Sequence, residues 1–355
     1  MSDTTDPIKH AASGEVAGSE PQRMTNNAAR HDAPPQSFAT RAAGMSGRIW
    51  DAAGMAVVLA LLLLACGLFV DRFFTVINLK GLALSVATIG MISCTMLLCL
   101  AAGDFDLSVG SVVAMAGVVG ALTINATDSL LLGIGVAVTA GAVVGLVNGL
   151  FIALLGINAL ITTLASMQIV RGLALIFSDG KSVGVSDAGF MTLGISSFLG
   201  LPTPVWLMIG CFVIFGLLLN FTTFGRNALA IGGNHEAARL AGIRTRRNKI
   251  IIFTLQGMMA AFAGVILASR FTSGQPTAGE GLELLVISAC VLGGVSLTGG
   301  VGTITGVIVG VFIMGTLNNA MNLLRIDSFW QYVVSGTVLL LAVTLDRLKQ
   351  RGRRG

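Results

Sequence analysis

Charge is scarce in this sequence. Asp, Glu, Lys and Arg make up 11% of its 355 residues against 54% hydrophobic residues, and the mean hydropathy is +0.86. A soluble chain of that composition would expose far too much apolar surface to water, so a soluble enzyme is excluded and a multi-spanning membrane protein is implied. Proline is scarce too, seven residues against 46 glycines. Few prolines leave long helices unbroken, and small residues let helix backbones approach closely in lipid. Paired cysteines are missing. Cys66, Cys94, Cys99, Cys211 and Cys290 all lie in apolar runs without C-x-x-C spacing, which excludes a disulfide framework or zinc site and makes them core residues. The three histidines, His10, His31 and His235, form no metal cluster. A phosphate loop is missing as well. Gly180-Lys181-Ser182 comes nearest, but Leu175 stands where the motif needs glycine. No nucleotide site, cofactor or catalytic residue is expected, and the chain is not an enzyme. Basic stripes interleaved with aromatics are also absent, so the net charge of +5 does not point to nucleic acid; Lys and Arg gather at the ends of apolar runs, as a topology signal.

What is present is a series of apolar segments. Residues 1–46 are polar and read as a disordered leader without an apolar signal region, so the first span stays as an anchor. Ten segments follow, near 53–70, 80–102, 109–125, 129–155, 157–177, 203–221, 250–270, 284–297, 303–323 and 328–345. The third and eighth are short enough to be broken or tilted. The expected architecture is an all-α polytopic membrane protein of about ten transmembrane helices, with one membrane domain over 47–346 and a basic tail over 347–355.

Orientation follows from where Lys and Arg lie. With the leader inside, sixteen face the cytoplasm: Lys9, Arg23, Arg30, Arg41, Arg48, Arg226, Arg239, Arg244, Arg246, Arg247, Lys249, Arg347, Lys349, Arg351, Arg353 and Arg354. Five lie outside: Arg72, Lys80, Lys181, Arg270 and Arg325. Both termini are thus expected in the cytoplasm, as is the polar island within 222–249. That island reads as a short loop at Gly232, Gly233 and Asn234 and then a helix over 235–243, with Ala237, Ala238, Leu240, Ala241 and Ile243 able to bury one face.

An internal echo supports the layout. Gly145 and Asn148 correspond to Gly315 and Asn318, five spans apart. An odd separation inverts the copy in the membrane, as in inverted transporter repeats. Gly141, Gly145 and Gly149, and likewise Gly302, Gly306 and Gly310, are spaced for close helix crossing, read as packing within the chain. Polar residues at membrane depth are functional candidates because each costs free energy unless paired or hydrated. Asn148, Gln168, Asn318, Asn319 and Asn322 are translocation-path candidates whose amides suit a polyol, although for any single one of them interhelical hydrogen bonding is the stronger reading. Arg171 lies close enough to the outer end of its span to snorkel. Asp104 and Asp106 either bind a cation or proton, as in a secondary transporter, or cap the third helix with Ser108.

The runs GDFDLSVGS (103–111), GRNALAIGGNHEAARLAGI (225–243) and ACVLGGVSLTGGVGT (289–303) resemble the membrane permease subunit of ribose-type ABC sugar importers, from about Gly47 to the tail. The segments GRIWD (47–51), 99–111, 157–174 and 287–300 are most similar to members that carry an aldopentose. The resemblance implies a homodimer that imports a monosaccharide by alternating access. It also implies a periplasmic sugar-binding protein outside and a cytoplasmic ABC ATPase subunit with two nucleotide-binding modules inside. The island then corresponds to the coupling segment, with Asn234, Glu236, Ala237, Ala238, Arg239, Leu240 and Gly242 as the expected ATPase contact. Other sugars of the family (ribose, xylose, galactose), an ion-coupled carrier and a channel or scaffold are the rival readings.

Overall fold

The computed structural model describes residues 38–352. Its helices are α1 Phe38–Phe69, α2 Val76–Ala101, α3 Val109–Thr127, α4 Leu130–Leu154, α5 Ala159–Phe177, α6 Ala188–Ile195, α7 Thr203–Phe221, α8 Thr223–Gly233, α9 His235–Leu240, α10 Thr245–Arg270, α11 Leu282–Leu292, α12 Ile304–Leu323 and α13 Ser328–Gly352. Two short antiparallel pairs complete it, Val183–Gly184 with Ser273–Gly274 and Ser197–Phe198 with Leu201–Pro202. Seven helices are long and apolar enough to span a membrane: α2, α3, α4, α5, α7, α10 and α12. Shorter apolar helices cover Gly54–Phe69, Leu282–Leu292 and Phe329–Thr344. All ten expected segments are therefore helical. The eighth is cut to the eleven residues of α11, while the third runs a full 19.

The leader through residue 37 lies outside the described residues, but 38–46 already belong to α1 and 347–352 to α13. The island also departs from expectation. Its first half is the helix α8, capped by Thr222 Oγ1 accepting from Gly225 N, because the run from Thr223 to Ile231 satisfies its own backbone before the glycines end it.

The core is α2 and α3, whose apolar windows are 83% and 72% buried against 22% for α4 and α5. The largest helix contact is α10 on α4. A Cβ on Gly141, Gly145 or Gly149 would run into the Gly257, Phe253 and Ile250 backbone of α10, and one on Gly306 or Gly310 into the Gly293 and Ala289 carbonyls. Both glycine sets therefore pack within the chain, as their spacing predicts. The five cysteines are free and buried.

Candidate functional site

The three sequence runs that carry the resemblance meet at one end of the bundle. α2 ends with Gly103 and Asp104 donating their backbone N–H groups back to Leu100 O and Cys99 O. The loop after α11 reaches this turn, with Gly300 N donating to Ala101 O at 2.9 Å. α8 closes the junction through Gly232, where a Cβ would strike Ala101 O and the Gly300 backbone. Only glycine fits between those two backbones.

The island's basic end folds onto this junction. Lys249 Nζ lies 2.7 Å from Asp104 Oδ2, with the two side chains 17% and 11% exposed. Burial raises the Asp104 carboxyl above its ordinary value and the Lys249 charge opposes that rise. These residues are 145 positions apart, so no local pattern announces the pair. Arg244, Arg246 and Arg247 are exposed.

Asp106 is 1% exposed. Its Oδ1 accepts from Ser108 N at 2.8 Å and Ser108 Oγ at 2.6 Å. Burial still pushes its carboxyl up to about 6, because these bonds offset only part of the desolvation. Asp106 thus holds the N-cap residue Ser108, and neither side chain caps a first-turn N–H of α3 as expected. With Asp104 on lysine and Asp106 on Ser108, both carboxylates are engaged in holding the segment between α2 and α3.

α9 stands beyond the junction. Asn234 Oδ1 caps it by accepting from Ala237 N at 3.0 Å. Gly242, at φ +82°, closes it with a backbone bond to Arg239 O, while Ile243 N reaches Ala238 O. That 6→1 and 5→2 pattern needs a left-handed residue at its turn, hence glycine. Ala238 is 5% exposed and faces the chain. Ala237, Leu240 and Ala241 are exposed and open to a partner. Leu240 is 82% exposed. Glu236 and Arg239 pair across one turn at 3.1 Å in the open. Of the seven expected contact residues, three therefore build the helix (Asn234, Ala238, Gly242) and four present themselves (Glu236, Ala237, Arg239, Leu240).

The path candidates divide in the same way. Asn148 is fully buried and donates to Ser108 Oγ at 3.1 Å while its carbonyl accepts from Ser166 Oγ. Asn319 forms a reciprocal 2.9 Å amide pair with Asn78, and Asn322 accepts from Gln331 at 2.8 Å. Each of these three is bonded to another element of the bundle. Gln168 is exposed and Asn318 half-buried. Arg171 does not snorkel; its Nη1 donates to the Pro276 and Ala278 carbonyls at 2.7 and 2.8 Å and holds the nonhelical approach to α11. Among the described residues no group of His, Cys, Asp and Glu can hold a metal ion.

A family model described as "Branched-chain amino acid transport system / permease component" matches residues 78–343. The chain belongs to this permease family. It is 60% identical over 322 residues to the L-arabinose transport system permease protein AraH of Escherichia coli (strain K12), covering 91% of this chain and 96% of that one. Identity to the L-arabinose ABC transporter permease protein AraH of Azospirillum brasilense is 50% over 324 residues, 90% of this chain and 96% of that one. The Ribose import permease protein RbsC of Bacillus subtilis (strain 168) is 43% identical over 294 residues, 82% of this chain and 91% of that one. No solved structure matches the chain. The chain is thus a multi-pass permease subunit of an ABC transporter, a transport component.

Proposed function

We propose that this permease carries L-arabinose into the cytoplasm of a bacterium by alternating access. It works as a homodimer in the inner membrane, with both termini and α8–α9 on the cytoplasmic side. A periplasmic sugar-binding protein delivers the sugar. A separate ATPase subunit with two nucleotide-binding modules docks on α9. The observation that carries the coupling role is Leu240, an 82% exposed leucine on a six-residue helix held by caps beside the glycine junction. An exposed Glu236–Arg239 pair contributes only about 0.3–0.5 kcal/mol to stability, so these side chains are free to serve a partner. Gln168 and Asn318, bonded to no described residue, are the amides left to meet sugar hydroxyls.

The choice of L-arabinose rests on the 60% identical relative; the 43% identical ribose permease supports ribose as the second reading. Reconstitution of the chain with an ABC ATPase and a sugar-binding protein from the same bacterium tests the proposal. ATP-dependent uptake of L-arabinose in preference to ribose, lost on replacing Glu236 and Arg239 with alanine while the protein stays in the membrane, is the expected result. Sugar uptake by the chain alone, driven by an ion gradient, would establish a secondary carrier in its place.

A further inference from the structure

One buried chain of polar groups links the junction to the least buried part of the bundle. Ser166 Oγ on α5 donates to Asn148 Oδ1 on α4. Asn148 Nδ2 donates to Ser108 Oγ at 3.1 Å, and Ser108 Oγ donates to Asp106 Oδ1 at 2.6 Å. Asn148, Ser108 and Asp106 are each at most 1% exposed. Every hydrogen points the same way, toward a carboxylate that only accepts, so the donor order is fixed along the whole chain. Two residues before Asp106, Asp104 meets Lys249 on α10, nine residues after α9 ends at Leu240. At the far end, α5 is only 22% buried across its apolar window, packs on α3 and α4, and bears Gln168 and Arg171.

We propose that Asn148 is a positioning residue for transport: with Ser108 and Ser166 it joins the segment between α2 and α3, which Lys249 grips, to α5, so that displacement of α9 and the start of α10 is delivered to the helix carrying Gln168. The inference rests on the coupling role proposed above for α9. Apolar residues would fill this position at less desolvation cost. A fully satisfied buried network instead fixes one relative placement of the groups it joins, here three connected elements. Small displacements at one end then act on α5 as a unit, because packed helices change between discrete arrangements.

The test uses the permease with its ATPase and sugar-binding proteins in vesicles, reading L-arabinose moved per ATP hydrolysed. Ser166→Ala removes one hydroxyl at a half-buried site without a large volume change. It should lower that ratio about fivefold, the factor one lost hydrogen bond carries, with protein amount unchanged and the melting temperature lowered by only a few degrees. Ser166→Thr, which keeps the hydroxyl, should restore the ratio. Ser108→Ala with Ser166→Ala should be no worse than the worse single change, since both break one chain. An unchanged ratio in Ser166→Ala, uptake and hydrolysis falling in step, or multiplying effects in the double variant would each overturn the network. Wild-type vesicles without ATP-dependent uptake would instead refute the coupling reading and with it the inference.

Discussion

The two short helices of the polar island share alanine, leucine and arginine and have opposite fates. α8 buries Gly225, Ala228 and Ile231 and presses Gly232 between the end of α2 and the glycine loop after α11. α9, held at Asn234 and Gly242, buries Ala238 alone and leaves Leu240 standing out. The difference separates an anchor from a handle. An exposed apolar side chain on a well-capped helix beside a rigid junction is where a partner can pull without unfolding what it pulls on.

Changes in the anchor should be costly. Gly232→Val places methyl groups where two backbones already meet, so it should leave little folded protein, because overpacking costs about 1–3 kcal/mol even where neighbours can shift and backbone cannot. Membrane abundance and size-exclusion profile report this. Lys249→Met removes the partner of the mostly buried Asp104 and should destabilise by about 3–5 kcal/mol, as breaking one side of a buried pair does. Adding Asp104→Asn should recover most of that loss in a thermal melt. If Lys249→Met alone melted like wild type, the junction would not be held as described.

A smaller effect concerns Asp106. Its folded carboxyl titrates at about 6, above an unfolded value of about 3.9, so the folded state holds the proton more tightly. The stabilisation is complete below the unfolded value and disappears as pH rises through about 6. Melting temperatures of wild type in detergent should therefore fall between pH 4 and 6 relative to Asp106→Asn and run parallel above. Asp104, also raised, is present in both proteins, so the difference isolates Asp106. Parallel curves throughout would show a carboxyl not held in this way.

Least affected in stability should be the handle. Glu236→Ala and Arg239→Ala are expected to change the melting point by less than about 0.5 kcal/mol of equivalent free energy while reducing ATP-driven uptake. Equal losses of stability and uptake would erase the distinction between the two helices.

The sequence made the class and the ten apolar segments plain, since hydropathy reports burial in lipid directly, and it placed the start of α9 at His235, but it ran that helix on to 243, past Gly242, where it has already ended. It did not separate handle from anchor, because alanine and leucine suit either role until packing assigns a face. Nor did it reveal α8, whose glycines read as loop although they permit a backbone contact. The Asp104–Lys249 pair and the Ser166 bond to Asn148 join residues far apart in the chain, and no spacing rule connects them. Nor did it show the partners of Asn148, Asn319 and Asn322, since an amide in a span is ambiguous until its neighbours are seen. Arg171 looked like a snorkelling charge for the same reason; its partners are carbonyls more than a hundred residues away.

The most direct test of α9 as the coupling handle uses the buried state of all five native cysteines, which leaves an added surface thiol as the reactive one. In native membranes, Leu240→Cys should react rapidly with a maleimide and become protected when the ATPase subunit is bound. Ala228→Cys on α8, at a position with no exposure, should react only after denaturation. Labelling at position 240 that is indifferent to the ATPase subunit would contradict the account.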